Sequence, residues 1–309
     1  MLSYYKTIQN NLVKIDAIEK GCWINLIDPT EEEIQCLISS LGIDSGFLRA
    51  ALDEEETSRV EIEDEQTLLI IDVPFAEKLE NQNGVIFSTL PLGIIVAPDN
   101  IITVCLKEQR AIADFAAGSV KNIQTSMKTQ FILHLLLRIA NNFLFYLRQV
   151  EKISSHIERQ LYRSLKNKEL ILLLDLEKSL VYFTTSLKAT EVTLEKVLRG
   201  RIIKLYEDDQ ELLEDVIIEF KQAIEMADIY SSILSGTMDA FASVISNNLN
   251  IIMKVLTVIT ILMTIPNIVF SFYGMNVVSL PIPYYWFPIL ITAMITAGVW
   301  FILKKKNLF

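Results

Sequence analysis

The chain has 309 residues, 38 acidic against 28 basic side chains and a formal net charge of −10, which argues against a nucleic-acid partner because such a partner calls for a basic surface. Hydrophobic residues make up 51% and mean hydropathy is +0.36, high for a soluble protein. Much of that excess sits near the C-terminus, where no charged residue occurs from Val255 to Leu303.

Residues 1–110 read as a mixed α/β domain. Cys22 to Ile27 predicts a short strand. Asp28-Pro29-Thr30-Glu31 predicts a helix start, with Asp28 as N-cap, proline at the first helical position and a carboxylate three residues after the cap. The helix itself runs from Glu31 to Leu41. Thr67–Val73, Val85–Thr89, Leu92–Val96 and Ile101–Leu106 are apolar, β-branched runs that predict strands. Asn83-Gly84 and Pro98-Asp99-Asn100 punctuate them as turns. Together these elements predict a mainly antiparallel sheet flanked by helices.

The acidic residues Asp53 to Glu56, Glu61, Glu63, Asp64 and Glu65 invite a metal reading. A solvated loop and an edge strand protected by charge is the simpler one. No catalytic constellation is visible, so an enzyme is not expected. There is no phosphate-binding glycine loop, and His134 and His156 each stand alone in a helical stretch. Cys22, Cys36 and Cys105 lack metal-ligand spacing and read as reduced thiols of a cytoplasmic domain. The first thirty residues hold no apolar signal core, so this domain is expected to stay inside.

Residues 111–208 read as a helical hairpin, with helices from Gln130 to Leu165 and Glu169 to Leu198 and a break near Lys166-Asn167-Lys168. Gly200-Arg201 marks its end. From Asp209 a long helix begins and continues to Tyr273, tolerating Gly236. Leu213, Val216, Phe220, Ile224, Ala227, Ile233, Phe241 and Val244 supply its apolar face. At 1.5 Å per residue some 60 residues span roughly 90 Å, enough to carry a movement from the cytoplasm into the membrane. Its N-terminal part, Glu207 to Asp228, is crowded with carboxylates and contains only Lys221 among bases. The helix macrodipole accounts for acids there; a divalent cation bridging acids of neighbouring subunits is the functional alternative.

The uncharged run is too long for one membrane span and suits two of about 20 residues each. The first closes the long helix, residues 274–284 form an external loop, residues 285–303 form the second span and residues 304–309 a cytoplasmic basic tail. Asn250, Met253, Thr257, Thr260, Thr264, Asn267 and Ser271 recur at intervals of three and four, which puts them on one helix stripe. A polar stripe in a bilayer is either glue between spans or the lining of a pore. Two spans cannot enclose a pore, so the second reading requires several copies around an axis.

At the end of the first span stands Tyr273-Gly274-Met275-Asn276, followed by a short loop, a second span and Lys304-Lys305-Lys306. This arrangement resembles the signature of the CorA family of magnesium and divalent-cation transport proteins, in which Gly-Met-Asn closes the first of two C-terminal transmembrane helices. The preceding stretch SNNLNIIMKVLTVIT also resembles that family's approach to the membrane. The resemblance implies a homo-oligomer, pentameric in this family, in the cell membrane with both termini cytoplasmic, importing Mg²⁺ and gated by cytoplasmic divalent cation. It needs no organic cofactor. Gly274, Met275 and Asn276 would form the selectivity filter, with Gly274 and Asn276 oxygens holding a hydrated cation and Met275 bracing the turn. Mg²⁺ dehydrates reluctantly, so neutral oxygens suit its hydration water.

Glycine at 274 also allows the chain to leave the helix in conformations closed to other residues. Met253 and Leu256 would form an apolar constriction, with Asn250 a polar ring just inside it. Pro266 reads equally as a bend used in gating or as a tolerated kink. Glu77 and Asp215 fall near the positions where the family senses cytoplasmic cation. Lys254 and Lys304 to Lys306 fit the positive-inside bias. One departure is the loop Val277 to Tyr284, which contains no Asp or Glu to attract cations. The alternatives are a transporter of the same fold moving Zn²⁺, Co²⁺ or Ni²⁺, and a membrane-anchored scaffold.

Overall fold

The computed structural model describes all residues except 79–84, 121–122, 165–166, 201–206, 277–281, 283 and 307–309. Two compact units emerge, Met1–Gly236 and Thr237–Phe309. The division falls inside one helix, Glu207–Tyr273. The expected turn at Asn83-Gly84, part of the breaks at Lys166 and Arg201, and most of the external loop lie outside the described residues.

The first unit is built on a seven-stranded sheet. Its strands are β1 (Leu2–Ile8), β2 (Asn11–Ile15), β3 (Trp23–Ile27), β4 (Arg59–Glu63), β5 (Gln66–Lys78), β6 (Val85–Val96) and β7 (Ile101–Cys105). They lie in the order β2-β1-β3-β7-β6-β5-β4. Every neighbouring pair is antiparallel except β3 with β7. The mainly antiparallel mixed α/β reading therefore stands. Its central strands are apolar on both faces: β7 is buried at all five positions, and Trp23, Ile24 and Leu26 of β3 are fully buried. Cys22 and Cys105 belong to this core, Cys36 is exposed, and all three are free thiols.

Val85–Thr89 and Leu92–Val96 are one strand, not two, because Pro91 does not break β6. Pro91 pairs with Asp72 just beyond the stretch where β7 pairs with β6, and Pro74 pairs with Thr89 beyond the reach of β4. Each proline thus sits where its strand has lost one neighbour, the position at which a missing N–H is tolerated. The acidic segment forms β4 at the sheet edge, where Arg59 pairs with Glu56 and Glu61.

Helix α1 (Glu31–Leu41) has the expected bounds but a different cap. Thr30, not Asp28, is the N-cap. Its hydroxyl accepts the Glu33 N–H at 3.3 Å, and the Glu33 carboxylate accepts the Thr30 N–H at 3.0 Å. This reciprocal pair satisfies two otherwise open donors. Pro29 consequently precedes the cap. Asp28 takes a left-handed φ of 45° while its N–H reaches the Cys105 carbonyl.

Helices α2 (Ser45–Ala50) and α3 (Arg110–Ala116) flank the sheet, and α4 (Lys128–Ser164) and α5 (Asn167–Gly200) form the expected hairpin. An aromatic cluster joins them to the sheet. The Phe183 ring of α5 lies 5.3 Å from Phe143 of α4 and 6.3 Å from Phe87 of β6. Phe143 in turn lies 6.5 Å from Phe220, on the long helix α6 (Glu207–Tyr273).

Leu213, Phe220, Ala227, Leu234 and Phe241 of α6 are buried and recur every seven residues, with Val216 and Ala223 between them. That spacing puts the expected face one step off at one position. Ile233 is exposed while its neighbour Leu234 is buried, and Val244 is exposed as well. A seam with a strict seven-residue repeat excludes Ile233, whereas Val244 lies in register with Val216 and Ala223 but beyond the buried part of the seam.

Candidate ion pathway

Among the described residues three helices are long and apolar enough to cross a membrane: α4, α6 and α7 (Phe287–Lys305). The most apolar window of α4 is 61% buried within the protein, against 6% for the other two. Burial of that kind makes α4 a core helix, and leaves α6 and α7 as the pair with apolar surface for lipid.

In the second unit α7 covers one face of α6. Val258 is buried, and Leu262, Ile265, Pro266, Val269 and Tyr273 are half-buried. Tyr273 places its ring 6.4 Å from Phe287 of α7. The polar stripe lies elsewhere. Asn250, Met253, Thr257, Thr260, Thr264, Asn267 and Ser271 are all exposed, as is Leu256. At 3.6 residues per turn the two sets of positions point roughly half a turn apart. The stripe therefore does not bind α6 to its own α7, and the glue reading fails within the protomer.

The stripe hydroxyls are oriented. Thr257 donates to the Met253 carbonyl at 2.8 Å, Thr260 to the Leu256 carbonyl at 2.8 Å and Thr264 to the Thr260 carbonyl at 2.7 Å. Each hydroxyl proton is thereby committed to the helix backbone, and the oxygen presents lone pairs outward. Asn250, Met253 and Thr257 also line a groove with Lys254, Val258 and Leu303.

α6 continues as a helix through Pro266 and ends at Tyr273. The Gly274 N–H bonds the Phe270 carbonyl at 2.9 Å, and the Met275 N–H bonds that of Phe272 at 3.4 Å. Gly274 does not use the left-handed conformations that only glycine enters freely. What distinguishes it is the missing side chain, since a Cβ would stand 3.1 Å from the Phe270 carbonyl oxygen. Met275 is 52% exposed, and Asn276 is exposed beside it. After the loop, Tyr284 stacks on Trp286 at 6.1 Å, an aromatic pair of the kind found at membrane interfaces. Lys304 and Lys305 form the last turn of α7, with Lys306 as its C-cap and the Lys304 ammonium 5.0 Å from the Trp300 ring.

Glu77 and Asp215 are both exposed, and Glu77 pairs with Lys107 at 3.7 Å. Among the described residues no group of three or more His, Cys, Asp or Glu side chains is placed to hold a metal ion. Within one protomer the described residues alone do not complete a cation site at Glu77 or Asp215. Lys107 was not singled out in the sequence, because its pairing with Glu77 depends on β5 running past the end of β7. His134 stands apart from any such cluster, and burial holds its pKa below the usual histidine value.

The model of the family described as CorA-like Mg2+ transporter protein matches residues 19–305. The cobalt/magnesium transport protein CorA of Methanocaldococcus jannaschii is 28% identical over 269 residues, which cover 84% of this chain and 81% of that protein. The protein of the same description from Thermotoga maritima is 31% identical over 146 residues, 42% of each chain. The complete structure of the Methanocaldococcus jannaschii CorA magnesium transporter superposes with a TM-score of 0.85 at 25% identity, covering 100% of this chain and 99% of that one. With the family match spanning nearly all of both units and ending in α7, the chain belongs to the CorA-like Mg2+ transporter family.

Proposed function

We propose that the chain forms a homo-oligomeric channel, pentameric by its resemblance to the family, that carries Mg²⁺ across the cell membrane into the cytoplasm. The observation that carries this reading is the exposed polar stripe of α6, turned away from α7, whose three threonine hydroxyls have their own protons already spent on the backbone. A hydrated Mg²⁺ ion points its water hydrogens outward and holds those waters tightly. The surface that suits it accepts hydrogen bonds without stripping the shell. Several α6 helices around one axis would bring their stripes into such a lining, with Asn276 and Gly274 at the outer mouth and Met253 and Leu256 as an apolar narrowing near the cytoplasm.

Two relatives carry cobalt as well as magnesium in their names, so Co²⁺ is the nearest competing cargo. Zn²⁺ and Ni²⁺ are the further alternatives within this fold. Control by cytoplasmic cation would act through acids such as Glu77 and Asp215 shared between protomers. It would reach the pore along α6, which is one helix from Glu207 to Tyr273.

The test is cation flux into proteoliposomes, comparing Mg²⁺, Co²⁺ and Zn²⁺ for the wild type and Asn276→Ala. Mg²⁺ flux that disappears in the variant is the expected result. Flux of Zn²⁺ alone would keep the pathway and change the cargo. Absence of flux for every divalent ion, from assembled protein freed of internal cation, would leave the membrane-anchored scaffold.

A further inference from the structure

The face between α6 and α7 holds a groove lined by Leu262, Phe270, Ile289, Thr292, Thr296 and Trp300, with two alanines completing it. Thr292 and Thr296 are its polar members. Thr292 donates its hydroxyl to the Pro288 carbonyl at 2.7 Å, one turn back on its own helix. Thr257, Thr260 and Thr264 do the same on α6. Thr296 departs from this habit: its hydroxyl is buried and has no hydrogen-bond partner. No water competes for such a group in hydrocarbon, so leaving it unbonded is costly.

A matching acceptor belongs to a residue that lines the same groove. The carbonyl of Leu262 would ordinarily receive the N–H of the residue four positions on, but that residue is Pro266, which has none. Leu262 and Pro266 both lie on the half-buried side of α6 that α7 covers. The residues lining one groove therefore include a hydroxyl without a partner on α7 and, on α6, Leu262, whose carbonyl is deprived of its helical donor. The remaining lining is apolar, and Thr292 is already engaged.

We propose that Thr296 is a positioning residue for the pore helix: in one state of the transport cycle its hydroxyl bonds the Leu262 carbonyl, directly or through one water, and in the other that bond is open. The open form is the one described above. Closing it would draw α6 toward α7 at Pro266, between Thr264 and Asn267 of the stripe, and so shift the lining without involving any group that meets the ion. The inference rests on the channel reading for its role in transport, but the bond itself can be tested apart from transport.

The experiment is a double-variant cycle on the full-length assembled protein, with Thr296→Val as the isosteric loss of the hydroxyl and Pro266→Ala restoring the N–H that satisfies Leu262. Two quantities are read: the ratio of Mg²⁺ flux without and with internal Mg²⁺, and the unfolding temperature in detergent. Hydrogen bonds between membrane helices are worth enough to predict a roughly three- to ten-fold change in that ratio for Thr296→Val. Thr296→Ser and Thr292→Val are expected to behave as wild type. In the Pro266→Ala background Thr296→Val is expected to have no further effect on either quantity.

An effect of Thr296→Val that persists undiminished in that background overturns the proposal, as does Thr296→Ser behaving like Thr296→Val. Should Pro266→Ala not assemble, the valine–serine contrast decides alone. If the wild type carries no divalent cation, the channel reading fails while the cycle on unfolding temperature still reports whether Thr296 and Pro266 are coupled.

Discussion

The Thr264 hydroxyl donates to the Thr260 carbonyl at 2.7 Å, and Thr260 repeats the arrangement one turn below toward Leu256. Both oxygens therefore face outward as acceptors. Valine keeps the shape and β-branching of threonine and removes the acceptor, whereas serine keeps the acceptor. A hydrogen bond to a charged partner is worth roughly 1.5–3 kcal/mol, so Thr260→Val or Thr264→Val should lower Mg²⁺ flux about ten-fold or more. Serine at either position should stay close to wild type. Equal flux from valine and serine variants in proteoliposomes would show that these oxygens do not meet the ion's water shell.

The stripe was legible in the sequence because polar residues at intervals of three and four stand out in an apolar span. The side taken by α7 was not, since Val258, Leu262 and Val269 look like any other apolar face. Glu77 and Asp215 rested on the family resemblance alone: among the described residues no further acids gather round either of them, and a second protomer leaves no mark on periodicity.

The hairpins β1–β2 and β4–β5 turn through Gln9-Asn10 and Asp64-Glu65, with φ of 50° and 63° in the first and 43° and 63° in the second. Two-residue turns with both φ positive match the strand twist, and their usual sequence signal is a glycine. Neither turn has one, which is why the β1–β2 hairpin is hard to see in the sequence. A side chain held in the left-handed region costs about 1–2 kcal/mol. Glu65→Gly should therefore stabilise the first unit by roughly 1 kcal/mol after the added freedom of the unfolded chain is counted. A raised unfolding temperature of the assembled protein checks it, and a lowered one would mean that the turn is held by its side chains.

Phe183 is fully buried between Phe143 and Phe87. Helix lengths and the hairpin were readable from apolar spacing, but the contact of α5 with the sheet was not, because it depends on which of several apolar faces turns inward. Phe183→Ala should cost about 3–5 kcal/mol by loss of burial and opening of a cavity. Phe183→Leu, which keeps most of the volume, should cost much less. The measurement is chemical denaturation followed by tryptophan fluorescence, since Trp23 is fully buried in the same unit.

Asp72 of β5 is half-buried under α5. Burial pushes its pKa above the usual aspartate value, and a hydrogen bond with Ser186 offsets only part of that effect. The folded protein thus holds this proton more tightly than the unfolded chain does. Below the unfolded pKa both states are protonated and the folded state carries no penalty. As pH rises from the unfolded value through the raised folded value, the carboxyl must ionise while shielded from water, and stability falls. Asp72→Asn keeps a hydrogen-bonding group for Ser186 and removes the ionisation. The variant should unfold at a higher temperature than wild type at pH 7.5, with the gap closing as pH is lowered toward the ordinary aspartate range. A gap of the opposite sign at pH 7.5 would mean that the ionised carboxylate is stabilised by its surroundings and that the polar contacts between β5 and α5 outweigh the cost of burial.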